Sequence, residues 1–308
     1  MRQQPTFIVI GAQKSATTSL YHWLRRHPQI YLSQQKELDF FSQPVLYERG
    51  LDYYCKTWFA GAGRARAIGE VSPQYMLSSA VPERIAALLP GVKLLALLRN
   101  PIDRALSHYA MQRMRGMEHG TFEQATRELL SSAPALIDHV HDNYLVAGLY
   151  GNILEGYARL FPSQSLQITF YEELLAEPRR ELRRILEFIG VDPELVAHEF
   201  REQYNRRADG RRFPGFEAWV LRQQFLKRVI KSITPAALSS RFLFWFDTEF
   251  NVRRERETGQ AAESGVGKSL RSDLREYFRA DVGRLQALLN RGVPWPEFAP
   301  PTAVSGGR

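Results

Sequence analysis

An α/β fold, with a central and mostly parallel sheet flanked by helices, is the class this sequence predicts, and three stretches predict it. Phe7–Ile10 and Lys93–Leu98 are apolar runs of strand length, as expected for parallel strands buried on both faces. Each is followed by a short polar turn and then a helical pattern. Leu166–Phe170 repeats the scheme, leading into Tyr171-Glu172-Glu173-Leu174. The chain has 308 residues, 44% of them apolar, enough for a sizeable core. One domain over residues 1–298 is expected, with a helical and loop elaboration at 217–268 and a disordered tail at 299–308.

Taken in order, the strand at Phe7–Ile10 feeds a helix over about 17–27, which Pro28 breaks. Ile30–Leu32 can extend briefly. Residues 42–64, with Tyr47, Leu51, Tyr53, Tyr54, Trp58 and Phe59 unevenly spaced, suggest a short helix and loop packed by aromatic rings. Ala67–Val71 reads as a strand ended by Ser72-Pro73. Ala80–Leu89 has helical spacing, and Pro90-Gly91 punctuates it. After Lys93–Leu98, a helix runs from Pro101 to about Arg115. Further helices are expected at 121–132, at 143–161 with Leu149, Ile153, Tyr157 and Leu160 as its stripe, and from Pro178 to Ile189, where Gly190 caps it. A basic stretch with Arg206, Arg207, Arg211 and Arg212 reads as a solvated loop or a lip over an anion. A basic amphipathic helix follows at 217–233, and the last helix spans 270–290, with Trp295 capping the core.

The chemistry concentrates at the first turn, Gly11-Ala12-Gln13-Lys14-Ser15-Ala16-Thr17-Thr18-Ser19. A strand feeding a helix through a short polar turn aims free N–H groups and the positive helix end at one point, a ready anion site. Lys14 adds a cation, and Ser15, Thr17, Thr18 and Ser19 add hydroxyls. The spacing is P-loop-like without being that of a nucleotide triphosphatase. Lys14 follows Gly11 by three residues, and Ala16 stands where a second Gly would be expected. A second clamp is Arg99, delivered by the strand Lys93–Leu98 at its carboxyl end, where ligands of open α/β sheets bind. Ser107, eight residues on, lies roughly two helical turns away and faces the same way. An arginine fork with a hydroxyl suits a phosphate.

The turn resembles the 5′-phosphosulfate loop of sulfotransferases that use 3′-phosphoadenylyl sulfate (PAPS). His27-Pro28-Gln29-Ile30 and Lys36-Glu37-Leu38-Asp39-Phe40-Phe41 resemble the heparan-sulfate type of that family. The resemblance covers about residues 5–298 and is strongest over 7–41 and 93–112. It implies PAPS as donor, PAP as product and no metal. Residues Gln13–Ser19 would bind the nucleotide, and Arg99 and Ser107 would hold its 3′-phosphate. Lys14 would assist the departing phosphate, and Glu37 would be the base that deprotonates the acceptor. The aromatic pair Phe40-Phe41 is expected to raise the pKa of Glu37. The family often places His two residues after that Glu, where Asp39 stands here, and several members place a Lys where Val71 stands. Arg253, Arg254, Arg256 and Gly259 occupy about the position of the family's covering loop without its Lys-Gly-Arg pattern.

Composition narrows the partners. A net charge of +8 favours polyanions: nucleotide phosphates, anionic glycans or an acidic membrane, with the 217–233 helix a candidate for peripheral membrane contact. No zinc-finger spacing or RNP-like strand points to nucleic acid, and His139 and His141 lack companions in a ligand spacing. No run of eighteen apolar residues occurs. Cys55 is the only cysteine, so no intrachain disulfide forms. Animal members of the resembled family are Golgi enzymes, several with a disulfide. This chain starts Met1-Arg2-Gln3-Gln4 directly before a strand and is expected to be a cytoplasmic, bacterial member. The acceptor is a glycan, a lipid-linked molecule or a small molecule. Two other readings stay open: a P-loop small-molecule kinase, and a nucleotide- or glycan-binding relative without turnover.

Overall fold

The computed structural model describes residues 3–114, 116–131, 144–196 and 266–299. The expected helix at 217–233, the basic stretch at 206–212, the arginines at 253–256, His139, His141 and the tail beyond Ala299 lie outside them. The elements that carry the site belong to one unit, formed by residues 1–195 and 258–308.

Among the described residues, five strands make one sheet: β1 (Phe7–Gly11), β2 (Ile30–Leu32), β3 (Ala67–Val71), β4 (Lys93–Leu98) and β5 (Leu166–Phe170). Their order is β2-β3-β1-β4-β5, and every pair is parallel. β1 is central because its residues can be buried on both faces. Phe7, Ile8, Val9 and Ile10 are all 0% exposed, each worth about 1.5–3 kcal/mol of transfer free energy. In a parallel sheet all carboxyl ends lie along one edge. The chain crosses from β3 over β1 to β4, and at such a reversal a crevice opens outside that edge.

The helices are α1 (Thr17–Leu24), α2 (Pro44–Tyr47), α3 (Gly50–Trp58), α4 (Val81–Leu88), α5 (Pro101–Met114), α6 (Phe122–Ser131), α7 (Tyr150–Ala158), α8 (Tyr171–Ala176), α9 (Pro178–Ile189) and α10 (Lys268–Leu289). None of them is long and apolar enough to cross a membrane. Residues 42–64 form two helices where one was expected. Tyr54 and Phe59 are wholly buried there.

The helix expected at 143–161 is shorter. A turn of 3₁₀ helix at Val146–Gly148 precedes α7, and Leu160 is 44% exposed. The inward stripe is Tyr150, Ile153, Leu154 and Tyr157. The start is set from a distance: the Asp281 carboxylate on α10 accepts the N–H groups of Gly151 (2.8 Å) and Asn152 (2.9 Å). Gly151 permits this approach, since a Cβ there would meet the Asp281 carbonyl oxygen at 2.4 Å. Trp295 caps the core as expected, 1% exposed, with its ring edge-on to Phe170 at 5.3 Å between centroids.

Candidate active site

Two loops rise over the carboxyl edge of neighbouring strands. The first joins β1 to α1. Gly11 is required at the strand's end because a Cβ there would lie 2.2 Å from the Met76 sulfur. The Ala12 N–H then donates to the Leu97 carbonyl (2.6 Å), which pins the loop to β4. Lys14 (φ 72°) and Ala16 (φ 65°) adopt the left-handed conformation, which turns N–H groups toward one side of the loop. α1 begins without a side-chain cap at Ala16, so its first N–H groups and its positive end face the loop.

Of the expected nucleotide ligands, Ser15 is wholly buried and Thr17 is 4% exposed, whereas Gln13, Lys14, Ala16 and Ser19 are half-buried and Thr18 is exposed. The Ser15 hydroxyl and the Gln13 side-chain carbonyl are buried without a well-formed hydrogen bond. The Tyr150 hydroxyl neighbours Ser15 but donates its own proton to the Arg99 carbonyl (3.0 Å). Burial pushes that phenol up to about 12. A buried hydroxyl beside the N–H groups at the helix start and a lysine fits a phosphate or sulfonate oxygen.

Arg99 closes this loop from β4. Its guanidinium donates to the Lys14 carbonyl (3.4 Å) and lies 4.9 Å from the centre of the Tyr171 ring. In the sequence the Tyr171-Glu172-Glu173-Leu174 stretch stands out only as the continuation of a strand. In the fold Tyr171 carries Arg99, and Glu172 accepts the Asn100 N–H (2.8 Å). The available signal was its position at the end of a strand that would pair with β4. Ser107 stands half-buried on α5, with no hydrogen bond to Arg99 or Lys14 among the described residues.

The second loop, Ser33–Phe41, runs beside β3. The Ser33 N–H donates to the Gly69 carbonyl (3.1 Å) and the Glu37 N–H to the Val71 carbonyl (3.0 Å). Glu37 therefore sits at the carboxyl end of β3, one strand from the Lys14 loop. Its carboxylate is 43% exposed and pairs with Lys36. Glu37 (φ 65°) and Asp39 (φ 57°) are also left-handed. Such residues cost about 1–3 kcal/mol each and persist where surroundings over-determine them. Among the described residues, four of the five non-glycine residues with positive φ lie in these two loops. Asp39 accepts from the Gln74 amide (2.5 Å) and the Ser42 hydroxyl (3.3 Å).

The aromatic pair anchors the second loop in the core. Phe40 and Phe41 are wholly buried, and Phe40 stacks on Tyr54 at 4.3 Å. The carboxyl enclosed by this cluster is Glu70 on β3, which is 0% exposed. Glu70 accepts from the Ser72 hydroxyl (2.7 Å) and from the Tyr54 and Tyr75 hydroxyls. Desolvation raises its pKa to about 7 against the pull of those three bonds. A lone Glu between apolar residues gave little warning, because its partners come from α3 and from the turn after β3. Val71 is also wholly buried, so no cation stands there. His27 is structural: its Nε2 meets the Asp192 carbonyl (2.8 Å), and its Nδ1 accepts the Gln29 N–H. Among the described residues, no cluster of three His, Cys, Asp or Glu could hold a metal ion.

Known proteins are similar to this chain in sequence and in fold. The bifunctional heparan sulfate N-deacetylase/N-sulfotransferase 2 of Mus musculus is 34% identical over 201 residues, 62% of this chain and 22% of that protein. The heparan sulfate glucosamine 3-O-sulfotransferase 5 of Mus musculus is 30% identical over 207 residues, 67% of this chain and 57% of that protein. The chain thus spans about a fifth of the first relative's length and somewhat over half of the second's. In fold, it is similar to a sulfotransferase crystal structure from Alicyclobacillus acidocaldarius. The TM-score is 0.64 at 24% identity, over 94% of this chain and 98% of that one. Residues 4–208 match the sulfotransferase domain family, and with more than half its length so matched the chain belongs to that family.

Proposed function

We propose that the protein transfers the sulfuryl group of PAPS to a hydroxyl or amine of an acceptor, and that the acceptor is an anionic glycan. The observation that carries this reading is the convergence of the Lys14 loop, Arg99 and Glu37 on one sheet edge. The relatives' names, which specify heparan sulfate, and the net charge of +8 support an anionic glycan.

PAPS, when bound, supplies an activated sulfuryl group on a phosphate leaving group. Positioning and electrostatics then dominate the barrier. The Ser15 hydroxyl, the N–H groups at the start of α1 and Lys14 would hold the 5′-phosphate and sulfonate, with Gln13, Ala16, Thr17, Thr18 and Ser19 shaping that cradle. Lys14 would neutralise charge on the departing phosphate oxygen. Arg99, steadied by Tyr171, and Ser107 would bind the 3′-phosphate. Glu37 would take the acceptor's proton on its exposed carboxylate. Its pair with Lys36 joins sequence neighbours in a partly exposed place. It therefore costs at most about 1 kcal/mol to open.

The test is transfer from sulfur-35 PAPS to a panel of N- and O-desulfated heparosan, chondroitin and small phenols, with thermal-shift titrations of PAP, 3′-dephospho-PAP and ATP alongside. Stabilisation by PAP over 3′-dephospho-PAP and label on a glycan are expected. Stabilisation by ATP and magnesium alone would replace the reading with a kinase. PAP binding without label on any acceptor would replace it with a non-catalytic binder.

A further inference from the structure

We propose that Glu70 is a positioning residue whose carboxylate, by accepting the Ser72 and Tyr75 hydroxyl protons, turns those hydroxyls into acceptors for the backbone of the loop carrying Glu37. The bonds run in one direction. Glu70 receives the protons of Tyr54, Ser72 (2.7 Å) and Tyr75 (3.1 Å). The oxygens so turned then receive the loop: the Leu38 N–H donates to Ser72 Oγ (3.1 Å), and the Phe41 N–H points at the Tyr75 oxygen (3.4 Å). Leu38 lies between the two left-handed residues Glu37 and Asp39. An unfavourable backbone is thus held on both sides of one anchored amide.

Charge sets that direction. An ionised carboxylate only accepts, so all three hydroxyls give it their protons. A protonated Glu70 must donate its own proton to one of them. That hydroxyl's hydrogen is then displaced in a site 0% exposed, where an unpaired polar group is costly. The loop amides lose well-oriented acceptors, and the strain at Glu37 and Asp39 is released. The groups facing Glu70 are Tyr54 on α3 with Cys55 beside it, Tyr75 after β3, and Asp39 in the loop. On α4, Arg84 holds the loop's far side through the Phe41 carbonyl (2.8 Å). With a pKa near 7, Glu70 changes state within the neutral range. Buried as it is, Glu70 cannot reach an acceptor and acts only through the loop.

This inference rests on the reading of Glu37 as base, so its test has one arm that needs no turnover. Amide hydrogen exchange is measured on peptides spanning 36–41 at pH 6 and pH 8, corrected for intrinsic rates, in wild type, Glu70→Gln and Ser72→Ala. Protection of 36–41 in wild type should rise about tenfold from pH 6 to pH 8. Glu70→Gln, neutral at both, should stay at the wild-type pH 6 level, and Ser72→Ala should lose the rise. In the second arm, Glu70→Gln should lose about ten- to a hundredfold in kcat, the scale of a displaced reacting group, with PAP affinity and melting temperature retained. Wild-type protection of the loop in Glu70→Gln at both pH values would overturn the proposal. So would an unchanged kcat, or a loss of protection spread over the whole sheet. A wild type that sulfates no acceptor would defeat the functional reading, and the exchange arm would still decide whether Glu70 holds the loop.

Discussion

The two loops that meet over the sheet edge are built by opposite means. The β1–α1 loop is assembled within nine consecutive residues, and it gathers a lysine, hydroxyls and the N–H groups at the start of α1. The Glu37 loop is held from below by a fully satisfied buried network whose members come from β3, α3 and the turn at Ser72–Tyr75. An anion site has to stay unsatisfied until its ligand arrives, whereas a proton-accepting carboxylate has to be held at one position. The difference predicts that damage to the first loop weakens nucleotide binding, and damage to the second slows transfer at unchanged binding.

The largest effects test that division. Glu37→Gln should lower transfer by about 10²–10⁴-fold with PAP affinity and melting unchanged. Lys14→Ala should lower transfer on a similar scale and loosen PAP as well, because in the proposed mode Lys14 would also contact the bound ground state. Calorimetry and a label-transfer assay on both proteins separate the two signatures. Equal loss of PAP affinity in both would break the comparison.

Next comes the pH dependence of stability. Glu70 is raised in the folded protein, from 4.5 to about 7, so the native state binds the extra proton between those values. Its contribution is fully present below pH 4.5 and is lost as pH rises through 7. The loss is on the order of 3 kcal/mol. Denaturation midpoints from pH 5 to pH 8 should fall in wild type and fall less in Glu70→Gln. Local protection of residues 36–41 should move the other way. A flat wild-type profile would remove Glu70 from the account.

Arg99→Ala should weaken PAP by about 1.5–3 kcal/mol, the worth of a charge-assisted bond, and leave the fold intact. An unchanged calorimetric affinity would end its assignment to the 3′-phosphate. The smallest effect is expected for Lys36→Ala. Removing this partly exposed pair should alter melting by under about 1 kcal/mol and leave transfer near wild type. A large drop in transfer would make Lys36 a participant in the site.

Much of this was legible without the fold. β1, β3, β4 and β5 fell within a residue of their expected bounds, because buried parallel strands are continuous apolar runs. The Lys14 loop was legible because its parts are consecutive, and Arg99 because a strand end announces itself. The α7 boundary was missed because its cap, Asp281, is 130 residues from Gly151. The enclosure of Glu70 was not legible, because Tyr54 and Tyr75, which bond it, come from outside its own strand.

The sequence by itself determined the strands, the first turn's chemistry and the residue types at the sheet edge, all of which follow from local patterning along the chain. The tertiary structure alone decided the strand order, which puts the Lys14 loop and Glu37 at the carboxyl ends of neighbouring strands, and the seating of Arg99 on Tyr171. It alone enclosed Glu70 among three hydroxyls from α3 and the turn after β3. Contacts between distant segments carry no periodic signal, and burial becomes defined only once the sheet and its helices close around a side chain.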